Sequence, residues 1–203
     1  MKKQRVELRV KTRIPTSHGE FTLHLYHEPD TEKEHLAFSF GKWTDEPVLV
    51  RIHSECFTGD VLGSRRCDCG EQLQRAIAEI AASGSGVLVY LRQEGRGIGL
   101  EEKLKAYNLQ DKGMDTVEAN IALGHSPDTR DYSAGAAILR DLGIQRIKLL
   151  TNNPAKMDGL GEYGINVVER VPLEMAIHDQ NRDYMLTKAL RMNHILDIPN
   201  LTA

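Results

Sequence analysis

Cys56 closes the run Arg51-Ile52-His53-Ser54-Glu55-Cys56, and after ten further residues the chain reads Cys67-Asp68-Cys69-Gly70. Three cysteines cannot all pair within one chain, so metal ligation or thiol chemistry is the better question than disulfide structure. Zinc takes four ligands, and catalytic sites characteristically draw three from the protein and leave the fourth position to water. His53 or another of the eight histidines could close the shell. Spacing alone therefore leaves a closed structural zinc, or buried thiols without metal, as open as a catalytic centre. Zinc on three thiolates has a site charge of −1, so its water is less acidified than water on three neutral histidines. A nearby base or cation has to help, and the helix that starts near Gly70 contributes through its free backbone N–H groups.

The second cluster is Arg92-Gln93-Glu94-Gly95-Arg96-Gly97-Ile98-Gly99. It lies between a buried strand and the amphipathic positions Leu100, Leu104 and Tyr107. A strand, a glycine turn and a helix start make an anion cradle, because small residues let backbone N–H groups approach phosphate oxygens. The glycines follow G-x-G-x-G with no Gly-Lys-Ser/Thr ending, so this is neither a Walker loop nor a dinucleotide fingerprint. Glycines serving turn geometry alone are as good a reading. Ser126-Pro127-Asp128-Thr129-Arg130-Asp131 reads as a solvated turn capping the next helix through Asp131, a role compatible with catalysis. Leu149-Leu150-Thr151-Asn152-Asn153-Pro154-Ala155-Lys156 lies at the C-terminal end of a strand, where open α/β sheets hold ligands. Without neighbours, Lys156 reads as a surface charge.

These clusters need a scaffold, and hydrophobic periodicity supplies one. Val6, Leu8 and Val10 alternate with charged residues as in a half-buried strand. Phe21, Leu23 and Leu25, then Leu36, Phe38 and Phe40, predict antiparallel strands with one wet face. Near-continuous apolar runs over 48–52 and 86–91 predict strands covered on both faces. Leu73, Ile77, Ile80 and Ala81 predict a helix stopping at Ser83-Gly84-Ser85-Gly86. The second half alternates a helix over 133–142, a strand over 146–150, a helix over 154–163 and a strand over 165–171, which is βαβ grammar. Residues 112–131 are polar and turn-rich and predict loops. The expected architecture is α/β: one domain over 1–203, with a mixed β-sheet flanked by helices and an antiparallel N-terminal part.

Composition bounds the function. Lysine and arginine total 26 against 29 acidic residues, a net charge of −3, which gives no overall basic field for nucleic acid or anionic membranes. Met1-Lys2-Lys3-Gln4-Arg5 is basic, but no apolar run follows that could act as a signal or a membrane span, so the expectation is a cytoplasmic protein. A chain of this length reaches stability without disulfides or metal, which makes any metal site functional in expectation.

Together, His53-Ser54-Glu55-Cys56, Cys67-Asp68-Cys69-Gly70, Arg92-Gln93-Glu94-Gly95-Arg96, Asp115-Thr116-Val117-Glu118-Ala119-Asn120 and Thr151-Asn152-Asn153-Pro154 resemble GTP cyclohydrolase II, in the family's order, over about residues 48–172. The resemblance implies the committing step of riboflavin synthesis: GTP gives formate, pyrophosphate and 2,5-diamino-6-ribosylamino-4(3H)-pyrimidinone 5′-phosphate. It also implies one catalytic zinc per chain, magnesium on the triphosphate, and a homodimer. The zinc ligands it implies are Cys56, Cys67 and Cys69, with zinc as Lewis acid and source of the nucleophile toward carbon 8 of guanine. The GTP contacts it implies are Arg51, Ile52, His53, Ser54, Glu55, Gln72, Glu94, Gly95, Arg96, Thr116, Thr151 and Lys156. Tyr107, Asp128 and Arg130 are implied as catalytic: Tyr107 in ring opening and formate release, Arg130 as nucleophile toward the α-phosphate with Asp128 as its base. A guanidinium is a poor nucleophile, so a charge-stabilising role for Arg130 stays open. Two other functions fit the same residue types: a GTP sensor without hydrolysis, and a zinc-dependent deaminase or phosphohydrolase of another purine nucleotide.

Overall fold

A computed structural model describes residues 5–43, 47–126 and 128–197. The basic opening over 1–4 and Pro127, in the turn before Asp128, lie outside these. The chain folds into two compact units. The first, Met1–Ser54 with Leu73–Arg92 and Asp131–Leu173, contains a seven-stranded mixed sheet in the order β1-β2-β3-β5-β4-β6-β7. Its strands are β1 (Glu7–Thr16), β2 (Gly19–Glu28), β3 (Lys33–Phe40), β4 (Val48–Ser54), β5 (Gly86–Leu91), β6 (Arg146–Leu150) and β7 (Asn166–Val171). The first three run antiparallel, and β5, β4, β6 and β7 are mutually parallel. The α/β class with an antiparallel N-terminal part is as the periodicity predicts.

The continuous apolar runs become the centre of the sheet. Val48, Val50 and Ile52 of β4 and Val87, Val89 and Leu91 of β5 enter one core cluster with Ile138 and Leu139. The last two belong to α5 (Ser133–Asp141). Its small residues Ser133-Ala134-Gly135-Ala136-Ala137 let the helix lie close on these strands: a Cβ on Gly135 would meet Ile52 and Leu91 at 3.6 Å. Asn153 caps α6 (Pro154–Glu162) by accepting the Ala155 N–H, with Pro154 in the first turn where no N–H is needed.

The antiparallel strands depart from expectation. Of the face predicted as core, Phe21 is fully buried, while Leu23, Leu25, Leu36, Phe38 and Phe40 are only half-buried. The opposite face carries the buried side chains His24, Tyr26, Glu28, His35, Ala37 and Ser39. Polar groups on it pair: His35 Nε2 lies 3.2 Å from Glu28 Oε2, His24 Nε2 lies 2.9 Å from Ser39 Oγ, and the Tyr26 hydroxyl donates to Asp141 on α5 at 2.8 Å. Alternation reports which side chains share a face; polar groups that pair can make the other face the deeper one. Val6 is half-buried against the core, as expected, but on β1, an edge strand, Leu8 and Val10 are 44% and 53% exposed and do not meet the expected half-burial.

Burial lowers the pKa of both His24 and His35. The unfolded chain then binds more protons than the folded one below about pH 6.5, so stability is full above that value and declines as pH falls toward the folded-state pKa values. Urea unfolding should show the midpoint falling between about pH 6.5 and 5, and His35→Gln should flatten that slope; a slope unchanged in the variant would count against the assignment to His35.

The second unit, Glu55–Gln72 with Gln93–Arg130 and Glu174–Ala203, is helical. It holds α1 (Phe57–Asp60), a 3-10 turn (Glu94–Gly97), α3 (Leu100–Gln110), α4 (Thr116–Ala122) and α7 (Arg182–Met192), while α2 (Cys69–Ala82) begins in it and ends in the first unit. The helix α4 occupies part of 112–131, where loops were expected. It is fixed by a reciprocal cap: Asp115 Oδ1 accepts the Val117 and Glu118 N–H groups at 2.7 and 2.8 Å, and Glu118 accepts the Asp115 N–H at 3.0 Å.

Candidate active site

β4 ends at Ser54, and two residues on, Cys56 takes the position before α1; Cys69 opens α2. These short segments close on each other through two glycines, since a Cβ on Gly70 would collide with the Gly59 carbonyl oxygen. The result is a cluster in which all three sulfurs lie within 4.8 Å of one another, with Cys56 Sγ and Cys67 Sγ 3.7 Å apart. Thiolates at the Zn–S length of about 2.3 Å on a tetrahedron stand about 3.8 Å apart. Gly59 keeps the ground beside them open, because a Cβ there would sit 3.1 Å from the sulfurs of both Cys56 and Cys67. Among the described residues, the ligand-type side chains gathered here are these three cysteines. His53 instead stacks on Tyr90, ring centroids 5.4 Å apart.

The three thiols share one charge. Hydrogen bonds from Cys67 and Cys69, reinforced by the Lys103 ammonium, hold the Cys56 thiol far below its ordinary pKa. Their hydrogen bonds to Cys56, with burial and its charge adding, push Cys67 and Cys69 up. Lys103 Nζ lies 3.1 Å from Cys56 Sγ and donates to Glu94 Oε1 at 2.8 Å. Burial works against its charge, but Cys56 and Glu94 outweigh burial and raise its pKa. Glu94 also accepts the Phe57 N–H at 2.6 Å and the Gly95 N–H at 2.8 Å. In this state its carboxylate ties the 3-10 turn to α1 and α3.

Tyr107 lies one turn beyond Lys103 on α3. Its hydroxyl is 3.2 Å from Thr58 Oγ1, which is 3.7 Å from Cys56 Sγ, so a hydroxyl pair leads from the tyrosine to the sulfur cluster. The Arg66 guanidinium stands 5.0 Å from the Tyr107 ring centre. Burial raises the Tyr107 pKa, which keeps the phenol protonated and able to donate.

The glycine turn serves geometry first. Gly95, Arg96, Gly97 and Gly99 all have positive φ, at 62°, 60°, 97° and 89°. Several N–H groups of the expected anion cradle are used within the turn, Gly95 N by Glu94 Oε1 and Gly99 N by Glu94 O. The left-handed Arg96 is held by Thr129, whose N–H and hydroxyl both donate to the Arg96 carbonyl, at 3.2 and 2.8 Å. Arg96 Nη1 is buried and meets no hydrogen-bond acceptor among the described residues. Beside it, Arg130 grips Asp128: Nε donates to both carboxylate oxygens, at 2.9 and 3.1 Å, and Nη2 donates to Oδ2. Burial alone would raise the Asp128 pKa; the hydrogen bonds and charge of Arg130, with Arg96 adding, overturn this and lower it.

Thr116 opens α4 and lines a cavity of about 280 Å³ with Arg66 and Tyr184. Gln72 is buried and donates to Asp68 Oδ2 at 2.6 Å, and Asp68 also receives Lys188 Nζ from α7 at 2.8 and 2.9 Å. In the first unit, Arg51 Nη1 donates to the Leu150 carbonyl, and Lys156 Nζ to the Ile52 carbonyl, each at 2.8 Å. Lys156 is only 5% exposed, so it is not the surface charge that its lone sequence position suggests. Thr151 is buried at the end of β6, and the Ile52 side chain is fully buried in the core, which leaves only its backbone for a ligand. Ser54 ends β4 and Glu55 follows it, both half-buried.

The GTP cyclohydrolase II family model matches residues 7–172. The chain belongs to the GTP cyclohydrolase II family. Two curated relatives, each named riboflavin biosynthesis protein RibBA, from Bacillus subtilis and Bacillus velezensis, are 56% identical over 94% of this chain and 48% of their own length. The chain thus spans about half the length of the curated relatives it matches. A solved structure described as RibBX, a two-domain 3,4-dihydroxy-2-butanone 4-phosphate synthase from A. baumannii, aligns over 86% of this chain and 42% of its own, with 26% identity and a TM-score of 0.50. A fold does not by itself set an activity, so that of this GTP cyclohydrolase II family member rests on its site residues. Among those, sequence reasoning missed Lys103, Thr58 and Lys188. Lys103 had a readable signal: it precedes Tyr107 by four residues, which puts the two on one helix face.

Proposed function

We propose that this chain carries out the full GTP cyclohydrolase II reaction, releasing formate and pyrophosphate from GTP in riboflavin synthesis. The observation that carries the proposal is the three-sulfur cluster, at zinc-like spacing, joined to Tyr107 through Thr58. Cys56, Cys67 and Cys69 would hold one zinc, and the space that Gly59 leaves open fits such an ion. Zinc there would supply a Lewis acid and the source of nucleophile for the two hydrations at carbon 8 of guanine.

The chain's own residues do the rest. Arg96, with a buried donor left over, meets a phosphate oxygen, and magnesium accompanies the triphosphate. Arg130, fixed in place by the Asp128 carboxylate, stabilises charge on the transferring phosphoryl group. A guanidinium held in this ion pair keeps its proton, which favours stabilisation over nucleophilic attack. Tyr107 donates its proton during ring opening and formate release. Arg51, Ile52, His53, Ser54, Glu55, Gln72, Glu94, Gly95, Thr116, Thr151 and Lys156 are the further GTP contacts. Glu94 must share or exchange one of its internal donors to meet the nucleotide. We extend the proposal to one functional domain over 1–203, a homodimer and a cytoplasmic location; among the described residues, no helix is long and apolar enough to cross a membrane.

The test is to incubate the purified protein with GTP and magnesium, before and after zinc chelation, and to quantify formate and pyrophosphate together. Equal release, abolished by chelation and restored by zinc, is expected. Pyrophosphate without formate would point to a phosphohydrolase, ammonia to a deaminase, and tight GTP binding without product to a sensor. Tyr107→Phe should lower formate released per GTP consumed, with kcat down about 10²-fold or more, the scale of a lost general acid; an unchanged formate ratio would remove Tyr107 from that role.

A further inference from the structure

A zinc ion on three thiolates has a net charge of −1, and such a centre binds metal and activates substrate better if a fixed cation offsets that charge. Lys103 occupies the position such a cation needs. Its ammonium is 3.1 Å from Cys56 Sγ, its side chain is only 11% exposed, and Glu94 Oε1 fixes it from the other side at 2.8 Å. Glu94 is itself anchored by the Phe57 and Gly95 N–H groups. The lysine is thus braced between a strut and a sulfur rather than extended to solvent, although lysine carries the side-chain entropy that normally takes it there.

We propose that Lys103 is a positioning residue of the metal centre: held in place by Glu94, it donates an N–H···S hydrogen bond to the Cys56 thiolate and offsets negative charge on the sulfurs of the three-thiolate zinc site. The proposal rests on the zinc reading above. One ammonium serves two ends of the site, because the contact that balances Cys56 also fixes the Glu94 carboxylate and, through it, the turn that presents Arg96. An arginine keeps the charge but replaces a point donor with a planar fork. A glutamine keeps an N–H and loses the charge, and a methionine keeps only the stem.

The experiment compares wild type, Lys103→Arg, Lys103→Gln and Lys103→Met by zinc affinity against a chromophoric chelator, by the sulfur-to-metal charge-transfer band of the cobalt-substituted proteins, and by kcat and KM for GTP. Far-ultraviolet circular dichroism establishes that each variant is folded. Expected is a loss of about 10- to 100-fold in zinc affinity for Lys103→Met, the usual cost of removing a group that supports a ligand. Its cobalt band should move to longer wavelength, because the sulfur lone pair loses its donor. Lys103→Gln should restore most of the band position but little of the affinity, and Lys103→Arg should hold affinity within about threefold of wild type. Should Lys103→Met fail to fold, the affinity of Lys103→Gln decides the role of charge. Stoichiometric zinc in wild type, with affinity and cobalt band unchanged in Lys103→Met and Lys103→Gln, would overturn the role of Lys103 and leave the zinc reading standing. A wild-type protein that binds no zinc would remove both.

Discussion

Replacing Cys56 by serine should strip the protein of zinc and lower formate release from GTP by more than about 100-fold, beyond the range seen when only a ligand's supporting partner is lost. The sulfur of Cys56 has more assigned neighbours than a bare ligand needs: Cys67 at 3.7 Å, Thr58 at 3.7 Å and Lys103 at 3.1 Å. Serine would put a shorter, protonated hydroxyl at that point and leave the Lys103 ammonium facing no thiolate. The fold should survive, since a domain of this size does not depend on metal for its stability and Cys56 lies outside the main core cluster. Metal analysis of the purified variant, alongside formate and pyrophosphate assays, is the measurement. A Cys56→Ser protein that holds stoichiometric zinc and turns over would show that the three-cysteine site is wrong.

Arg130→Ala should cost about 10²- to 10³-fold in kcat, the scale of removing one charge-stabilising donor from a transition state. The guanidinium is held by Asp128 through three side-chain hydrogen bonds, so its position is set before substrate arrives. Asp128→Asn should lose less, because the arginine keeps its charge and loses only part of its fixing. Arg130→Lys discriminates the roles: a stabilising cation leaves partial activity in lysine, whereas an attacking nitrogen of defined geometry leaves none. If Arg130→Ala released pyrophosphate at the wild-type rate, neither role would stand.

The parallel half of the fold was legible because burial on both faces leaves a mark that no other environment leaves. Val48 to Ile52, interrupted only by Arg51, and Gly86 to Leu91 read as near-continuous apolar runs and lie adjacent in the middle of the sheet. The helix stops at Gly143 and Gly164 likewise follow from their left-handed backbone, with φ of 76° and 80°. The antiparallel half misled because His24, Glu28, His35 and Ser39 look like solvent-facing residues until their mutual bonds are known. Helix α4 carried its signal in Asp115 and Glu118, three residues apart, a cap outvoted by the polar composition around it. Helix α7 had no such mark: it buries Thr187 and Lys188, and a buried lysine is readable only with its partner. At the site, the three cysteines and Arg96 stood out by type, though spacing alone left their roles open. The roles of Lys103 and Glu94 were not legible, because they depend on α1, α3 and the 3-10 turn being brought together by contacts distant in sequence.

Asp68 stands in the chain between Cys67 and Cys69, and its carboxylate is buried against Lys188. The family match ends at residue 172, before α7 begins. A fragment trimmed to the matched segment would leave that carboxylate without its ammonium, a change that costs about 3–5 kcal/mol in buried pairs, against a total of about 5–15 kcal/mol for an ordinary domain. For anyone grafting this module, shuffling it into a fusion or minimising it, the cut belongs beyond Met192, since the last helix is the far wall of the mould in which the two cysteines are set.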